Sequence, residues 1–216
     1  MLDTTQLPTD LQESIWTEYH NQLRNRIQSL QYHIRTLCLT DGNSDLVLNW
    51  MAHMLQYPNV KPQKGIILVG PPRCGKTLFA TLLSLLSGQD TVYQTNTLRM
   101  QFNHEMEDKT LVHLDECDLR DELPEIRTFI SDQNITINRP FQQPYNVPSH
   151  HRVIITTNTL SPLLNHSNAF QQRFTVIPCG SVSFNPQEFH TAMNDPVKVA
   201  ELRQYLMQRS VRPDFS

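Results

Sequence analysis

Net charge is almost absent from this sequence: its 216 residues hold 18 Lys and Arg against 21 Asp and Glu, a balance of −3. No basic surplus announces a nucleic-acid binder, so any phosphate contact must come from a local basic face or from a pore built by several copies. Long apolar runs are missing as well. Stretches such as Gly65–Val69 fall far short of the ~20 residues that span a bilayer, so no membrane partner is expected. The opening Met1-Leu2-Asp3-Thr4 has no basic and apolar leader, which predicts that the protein is not secreted. Cys38, Cys74, Cys117 and Cys179 form no CxxC pair and have no histidine at ligand spacing, which argues against zinc. They are expected to be reduced thiols of an intracellular protein. The nine histidines are dispersed apart from His150-His151, and are expected on the surface or as satisfied core side chains. No internal repeat is visible.

What is present is an ordinary globular composition. At 38% hydrophobic and 18% charged, the chain is less apolar and less charged than an average domain, with Asn and Gln filling the gap. That range excludes wholesale disorder. The length suits one domain, or one domain with an appended helical segment. Residues 1–60 read as helical. Pro8, Thr9-Asp10 and Glu13 supply a start, and Ile15, Leu23, Ile27, Leu30 and Ile34 recur at helical spacing to about Leu37. Asp41-Gly42-Asn43 is expected to break the helix and Ser44 to cap a second one, which Tyr57-Pro58 ends. Lys61-Pro62 to Lys64 reads as a polar linker.

From residue 65 the pattern changes to short apolar runs rich in β-branched residues: Gly65–Val69, Leu111–Leu114, Val153–Thr157 and Phe174–Ile177. Continuous runs of this kind are buried on both faces, which predicts an α/β fold with a mostly parallel sheet flanked by helices. Lys76–Ser87 reads as a helix with Gly88 at its C-cap. Asn185-Pro186 and Asp195-Pro196 read as later helix starts, the last helix running to about Gln208. The domain division expected is a helical segment over 1–60 and a core over 61–216.

Between the first strand and the first core helix lies Gly70-Pro71-Pro72-Arg73-Cys74-Gly75-Lys76-Thr77, which fits the phosphate-loop pattern GxxxxGK[ST]. Glycines there let the backbone wrap phosphate oxygens, and backbone amides form an anion nest at the positive end of a helix. Lys76 adds a point charge for the β- and γ-phosphates, and the Thr77 hydroxyl is a Mg²⁺ ligand. A chance match in a turn is the bland alternative. An apolar strand next delivers Asp115-Glu116. Asp115 is expected beside the loop, holding the Mg²⁺ shell, and Glu116 where a carboxylate polarises an attacking water. The pair favours hydrolysis over transfer to a small acceptor, although a loop-capping acid pair has the same look. Asn158 ends the third strand, where an amide can orient the lytic water or simply start a turn. Arg173 precedes the fourth strand; in an oligomer it can reach a neighbour's γ-phosphate, and otherwise it is a surface residue.

Taken in order, these elements resemble the superfamily 3 helicase domain of viral and mobile-element replication proteins, in particular the compact helicase-like domains of phage primase-polymerases. The resemblance covers about Val47 to Pro178. It takes in Asn49–His53, Gly70–Thr77, Phe102-Asn103, Asp115-Glu116, Ile135–Pro144, Ile154–Asn158 and Arg173. It implies an AAA+-like P-loop NTPase core preceded by a small helical collar, working as a homo-oligomeric ring, usually a hexamer, with ATP and Mg²⁺ as cofactors. By the same resemblance Lys76 and Thr77 bind phosphate and Mg²⁺, Asn158 is a sensor and Arg173 is a finger supplied across the subunit interface. Its partners would be single-stranded DNA or RNA, other replication proteins and a fused primase or initiator domain, in the cytoplasm or nucleus of a host cell.

The family's pore hairpin falls at Ile135–Pro144, with a departure: Arg139 is the only charge, and Pro140 stands where related helicases have a lysine. Arg139 can contact a phosphate and Phe141 can stack on a base. An ordinary hairpin with Phe141 packed inward is the alternative. His150, His151 and Arg152 read as a solvated loop. The expected function is an ATP-dependent helicase or translocase on single strands. The alternatives are a nucleotide-gated scaffold that does not unwind and, last, a small-molecule kinase, which explains neither Asp115-Glu116 nor Arg173.

Overall fold

The computed structural model describes residues 30–117, 119–159, 168–180 and 185–212. The helix start expected at Thr9-Asp10 lies outside them. Residues 30–38 are helical (α1), and the chain turns at Leu39, whose φ is 63°. Helix α2 then runs Asp41–Gln56, capped by Thr40, whose side chain accepts from the Asn43 amide. The expected break at Asp41-Gly42-Asn43 and cap at Ser44 are thus both displaced upstream. Thr40 reaches the third amide of the helix and leaves Asp41 in the first turn, where negative charge is favoured. Ser44 is buried inside the helix, its hydroxyl donating to the Asp41 carbonyl.

The later elements are β1 (Gly65–Val69), α3 (Lys76–Ser87), β2 (Val92–Thr95), β3 (Leu111–Asp115), α4 (Leu119–Ser131), β4 (Asn134–Ile137), β5 (Tyr145–Pro148), β6 (Arg152–Thr157), α5 (Asn168–Gln171), β7 (Phe174–Pro178), α6 (Pro186–Met193) and α7 (Pro196–Gln208). The four expected strands, α3 with its Gly88 cap, and the starts of α6 and α7 stand where the pattern puts them. Four elements escape it. Strand β2 is short and half-exposed, α4 carries Pro124 inside an acidic, polar sequence, β5 lies just past the expected hairpin Ile135–Pro144, and α5 is a single turn.

Five strands form one parallel sheet in the order β2-β3-β6-β1-β7. Its apolar residues separate by parity. Ile66, Leu68, Leu111, Ile154 and Ile177 face a core built with α1, α2, α3, α6 and α7. Ile67, Val112, Leu114, Val153, Ile155 and Phe174 face a second core under α4. Each fully buried Ile or Leu contributes about 1.5–3 kcal/mol. Position 60 marks no break in packing, because Leu37, Val47, Trp50 and Met51 share the first core with Phe79, Leu83 and Leu206. No helix among the described residues is long and apolar enough to cross a membrane.

Two polar stretches are not the solvated segments expected. Arg152 is 1% exposed. Its guanidinium donates to the carbonyls of Tyr57, Pro58 and Val60 at 2.5, 3.1 and 3.0 Å, gathering the chain as it leaves the negative end of α2. Burial pulls its pKa down to about 10. His151 is also buried, donating from Nε2 to the Met106 carbonyl at 2.8 Å. Lys61, in the supposed linker, donates to Phe129 O, Asp132 O and Ser149 Oγ at 2.5, 2.6 and 2.7 Å. Burial lowers its pKa to about 8. These side chains fasten the start of β1 and the start of β6 to the end of α4, so the two central strands enter the sheet from fixed positions.

Candidate nucleotide site

The loop Gly70–Thr77 joins the end of β1 to α3. Its two glycines have different reasons. Gly75, at φ 101°, turns the chain into the helix in a conformation that side chains resist. A Cβ on Gly70 would lie 2.3 Å from the Cys179 carbonyl oxygen, so this glycine is set by the close passage of the chain leaving β7. Pro71 and Pro72 have no N–H, so the amides that can face an anion begin at Arg73 and continue into the first turn of α3. Arg73 itself sits at φ 65°. Pro71, Pro72, Arg73 and Thr77 are exposed, whereas Cys74, Gly75 and Lys76 are buried. The Lys76 ammonium lies under the loop, donating to Gly70 O at 2.8 Å and Pro71 O at 2.9 Å.

Strand β3 does not lie directly against β1, because β6 lies between them. Asp115 therefore reaches the loop across one strand and is not its immediate neighbour. That intervening strand supplies the connections. Thr156 pairs with Asp115 in the register, and its hydroxyl donates to Asp115 Oδ1 at 2.5 Å. From the edge strand, Gln94 Nε2 approaches Asp115 Oδ2 at 3.3 Å. Glu116 follows at φ 52°, its amide held by the Thr156 carbonyl at 2.9 Å. A left-handed glutamate at a strand end is the kind of local strain that persists where neighbours fix it.

Asn158, one residue past β6, joins both halves. Its Oδ1 accepts from Lys76 Nζ at 3.1 Å, and its Nδ2 donates to Glu116 Oε1 at 3.3 Å. The loop lysine, the strand-end amide and the second carboxylate thus form one hydrogen-bonded chain at the carboxyl ends of β1, β6 and β3. The donor set is entirely oxygen and suits a hard divalent cation: the exposed Thr77 hydroxyl and the partly exposed Asp115 carboxylate. Among the described residues no cluster of three His, Cys, Asp or Glu forms a protein-only metal cage. Mg²⁺ fits that arrangement, since it is usually held by one or two protein ligands together with nucleotide phosphates.

Arg173 is not at this end. Its carbonyl accepts from the Gly65 amide at the start of β1, so the length of a five-residue strand, about 16 Å at ~3.3 Å per residue, separates it from the loop. Its Nε donates to Ser131 Oγ at 2.8 Å, and it lines a polar pocket with Lys61, Gln63, Gln133 and Gln172.

The expected hairpin is present as the antiparallel pair β4–β5, with Ile135 and Ile137 turned inward. Phe141, at φ 61°, stands at the tip fully exposed; the inward-packed alternative is not what forms. Arg139 does not project freely. It pairs with Glu107 at 2.5 Å and donates from Nε to Tyr145 OH at 2.8 Å, and Tyr145 OH donates to Glu107 at 2.7 Å. Asn103 fixes the turn end of β4, donating to Thr136 O at 2.9 Å and accepting from Asn138 N at 2.7 Å. Glu107 and Tyr145 were beyond sequence reasoning, since nothing local marks a carboxylate 32 residues upstream as the arginine's partner. Asn103 did have a signal, in the Phe102-Asn103 element of the resemblance.

Comparison with known proteins agrees with this architecture. Residues 68–173 match the model of a family of unknown function, DUF5906, a span that holds every site residue expected from the sequence. No curated protein matches. Among solved structures, the apo C-terminal region of NrS-1 superposes with a TM-score of 0.72 at 23% identity, over 86% of this chain and 46% of that one. The chain has the fold of part of the NrS-1 C-terminal region. A second apo structure of that region (305–718) gives a TM-score of 0.70 at 23% identity, over 86% and 47% of the two chains. A JCV helicase bound to a small molecule gives 0.49 at 14% identity, over 84% and 52%. The chain spans about half the length of the NrS-1 structures it matches.

Proposed function

We propose that this chain is the ATP-hydrolysing part of a helicase of the superfamily 3 type, acting on single-stranded nucleic acid inside a cell during replication of a virus or mobile element. The observation that carries the reading is the Lys76–Asn158–Glu116 chain at the strand ends. An ammonium and a carboxylate on either side of one amide support the reading, because hydrolysis of a terminal phosphoryl group needs a cation on the phosphates and a base near the attacking water. In this reading the loop amides and Lys76 hold the phosphates, and Thr77 and Asp115 hold Mg²⁺, which supplies charge neutralisation when bound. Glu116 Oε1 then takes a proton from the attacking water.

Arg173 lies a strand's length from the loop of its own chain, which favours a role across a subunit boundary and so a ring, with α1 and α2 belonging to the collar. Phe141 presents a ring face to an unpaired base. One observation favours the scaffold reading instead: Glu107 neutralises the only cation of the hairpin. Turnover measured with and without single strands of DNA and RNA separates the two. Stimulation together with strand displacement is the expected result; neither would leave a nucleotide-gated scaffold. Arg173→Ala and Lys76→Ala proteins, each inactive alone, are expected to regain activity when subunits mix. No recovery under mixing conditions would remove Arg173 from the active site.

A further inference from the structure

His113 and Thr156 are both buried and polar, on adjacent strands, where apolar residues would serve packing equally well. His113 is 2% exposed and Thr156 1%. Parity puts His113, Asp115 and Thr156 on one face of the sheet, and the register sets Thr156 directly opposite Asp115. The Thr156 hydroxyl has a single hydrogen, and it goes to Asp115 Oδ1. The 3.0 Å contact between His113 Nε2 and Thr156 Oγ1 must then be donated by the ring. The result is a directed chain, His113 Nε2–H to Thr156 Oγ–H to Asp115 Oδ1. His113 Nε2 stands 3.8 Å from that same carboxylate oxygen.

We propose that Thr156, oriented by His113, is a positioning residue that fixes the Asp115 carboxylate for the divalent cation of the nucleotide site. Neither is among the site residues expected from the sequence, and both are buried in the sheet. Thr156 holds Oδ1 from the inner strand β6 and Gln94 approaches Oδ2 from the edge strand β2, so the carboxylate is fixed between its two neighbouring strands with its remaining lone pairs set in direction. A carboxylate held in one rotamer loses no orientational freedom on binding the ion. Removal of a partner of this kind behind a metal ligand typically costs about 10–100-fold in metal affinity.

This inference rests on the nucleotide reading above, and the experiment keeps the two apart. ATP binding is measured by calorimetry with Mg²⁺ and with EDTA, and turnover is titrated against Mg²⁺. For Thr156→Val we expect binding in EDTA within about two-fold of the parent, while the gain in affinity on adding Mg²⁺ shrinks about 10–100-fold. Half-maximal Mg²⁺ for turnover rises correspondingly. Thr156→Ser keeps the hydroxyl and should keep the gain. His113→Leu should move in the same direction as Thr156→Val, and His113→Gln, which retains a donor, should not. These two variants carry the test if Thr156→Val does not fold. A Thr156→Val protein with the full Mg²⁺ gain, or with EDTA binding reduced equally, overturns the proposal, the second result revealing a purely structural threonine. A parent protein that binds Mg·ATP without hydrolysing it would sink the enzymatic reading and leave this one standing. A parent that binds no nucleotide overturns both.

Discussion

The two ends of the functional surface are built on opposite plans. At the nucleotide end, Lys76 opens α3, Asp115 ends β3 with Glu116 next to it, and Asn158 follows β6; Lys76, Asn158 and Glu116 are hydrogen-bonded in series, and Asp115 is held by Thr156. The parallel sheet fixes their separation, and the polar groups that matter are bonded within the site. The hairpin end is a two-stranded ribbon outside the main sheet. It is held by side chains from the β2–β3 connection: Asn103 at the turn end of β4 and Glu107 against Arg139. Its one large exposed apolar group is Phe141. The first end has its polar side chains locked in one geometry by one another. The second presents an exposed aromatic ring on a two-stranded ribbon.

Substitutions at the nucleotide end should therefore be the severest. Lys76→Ala removes the buried charge under the loop and is expected to abolish both nucleotide binding and hydrolysis, while the fold, read by circular dichroism, survives. Arg173→Ala should separate those properties. ATP binding persists, but turnover falls about 10³-fold or more, the usual scale for loss of an arginine finger. A protein that hydrolyses normally as an isolated monomer would break the contrast, placing the whole site within one chain. Phe141→Ala acts at the other end. Loss of one stacked base costs about 1–3 kcal/mol, so strand affinity should drop roughly ten- to hundred-fold. Turnover without strands should be unchanged, and Phe141→Trp should preserve binding. If strand-free turnover fell with Phe141→Ala, the two ends would be coupled even in the absence of nucleic acid.

The two ends also differed in how much of them was legible. At the nucleotide end almost everything is local. A strand, a glycine loop and a helix are consecutive, and the acidic strand and the Asn158 strand each carry their own residue at the tip. Short apolar runs located all three strands. What the sequence could not convey was the order of strands. Inserting β6 between β1 and β3 is a property of the assembled sheet, and it is what makes Thr156 and His113 part of the site. Arg152 and His151 were misread because exposure was inferred from polarity. A buried guanidinium is tolerable only because the carbonyls leaving α2 converge on it, and no local pattern reports that convergence. The hairpin was legible as a hairpin, through the alternation of Ile135 and Ile137. Its electrostatics were not, because the charge of Arg139 is cancelled from 32 residues upstream.

That cancellation sets the smallest and most discriminating effect. Arg139 paired with Glu107 contributes almost no net charge to the tip, so strand binding by the parent protein should depend only weakly on salt. Glu107→Gln keeps the shape and leaves Arg139 and Tyr145 a neutral acceptor, which frees one positive charge for a phosphate. The slope of log affinity against log salt should then steepen by about one, the effect of a single phosphate contact, with affinity rising a few-fold at low salt. Arg139→Gln should leave the parent slope nearly unchanged. If instead Arg139→Gln flattens it by about one, the arginine already leaves Glu107 when a strand arrives. The pH dependence follows the same pair. Hydrogen bonds from Tyr145 and then Arg139 hold the Glu107 carboxyl below its ordinary 4.5. The folded form therefore binds that proton less readily than the unfolded chain does. The pair's contribution is complete above pH 4.5 and is lost as pH falls through the depressed folded value. The protection of the Ile135 and Ile137 amides against hydrogen exchange, taken relative to the intrinsic rate at each pH, should fall on acidification below that point in the parent protein. In Glu107→Gln, which has no carboxyl to protonate, this component of the loss should be missing.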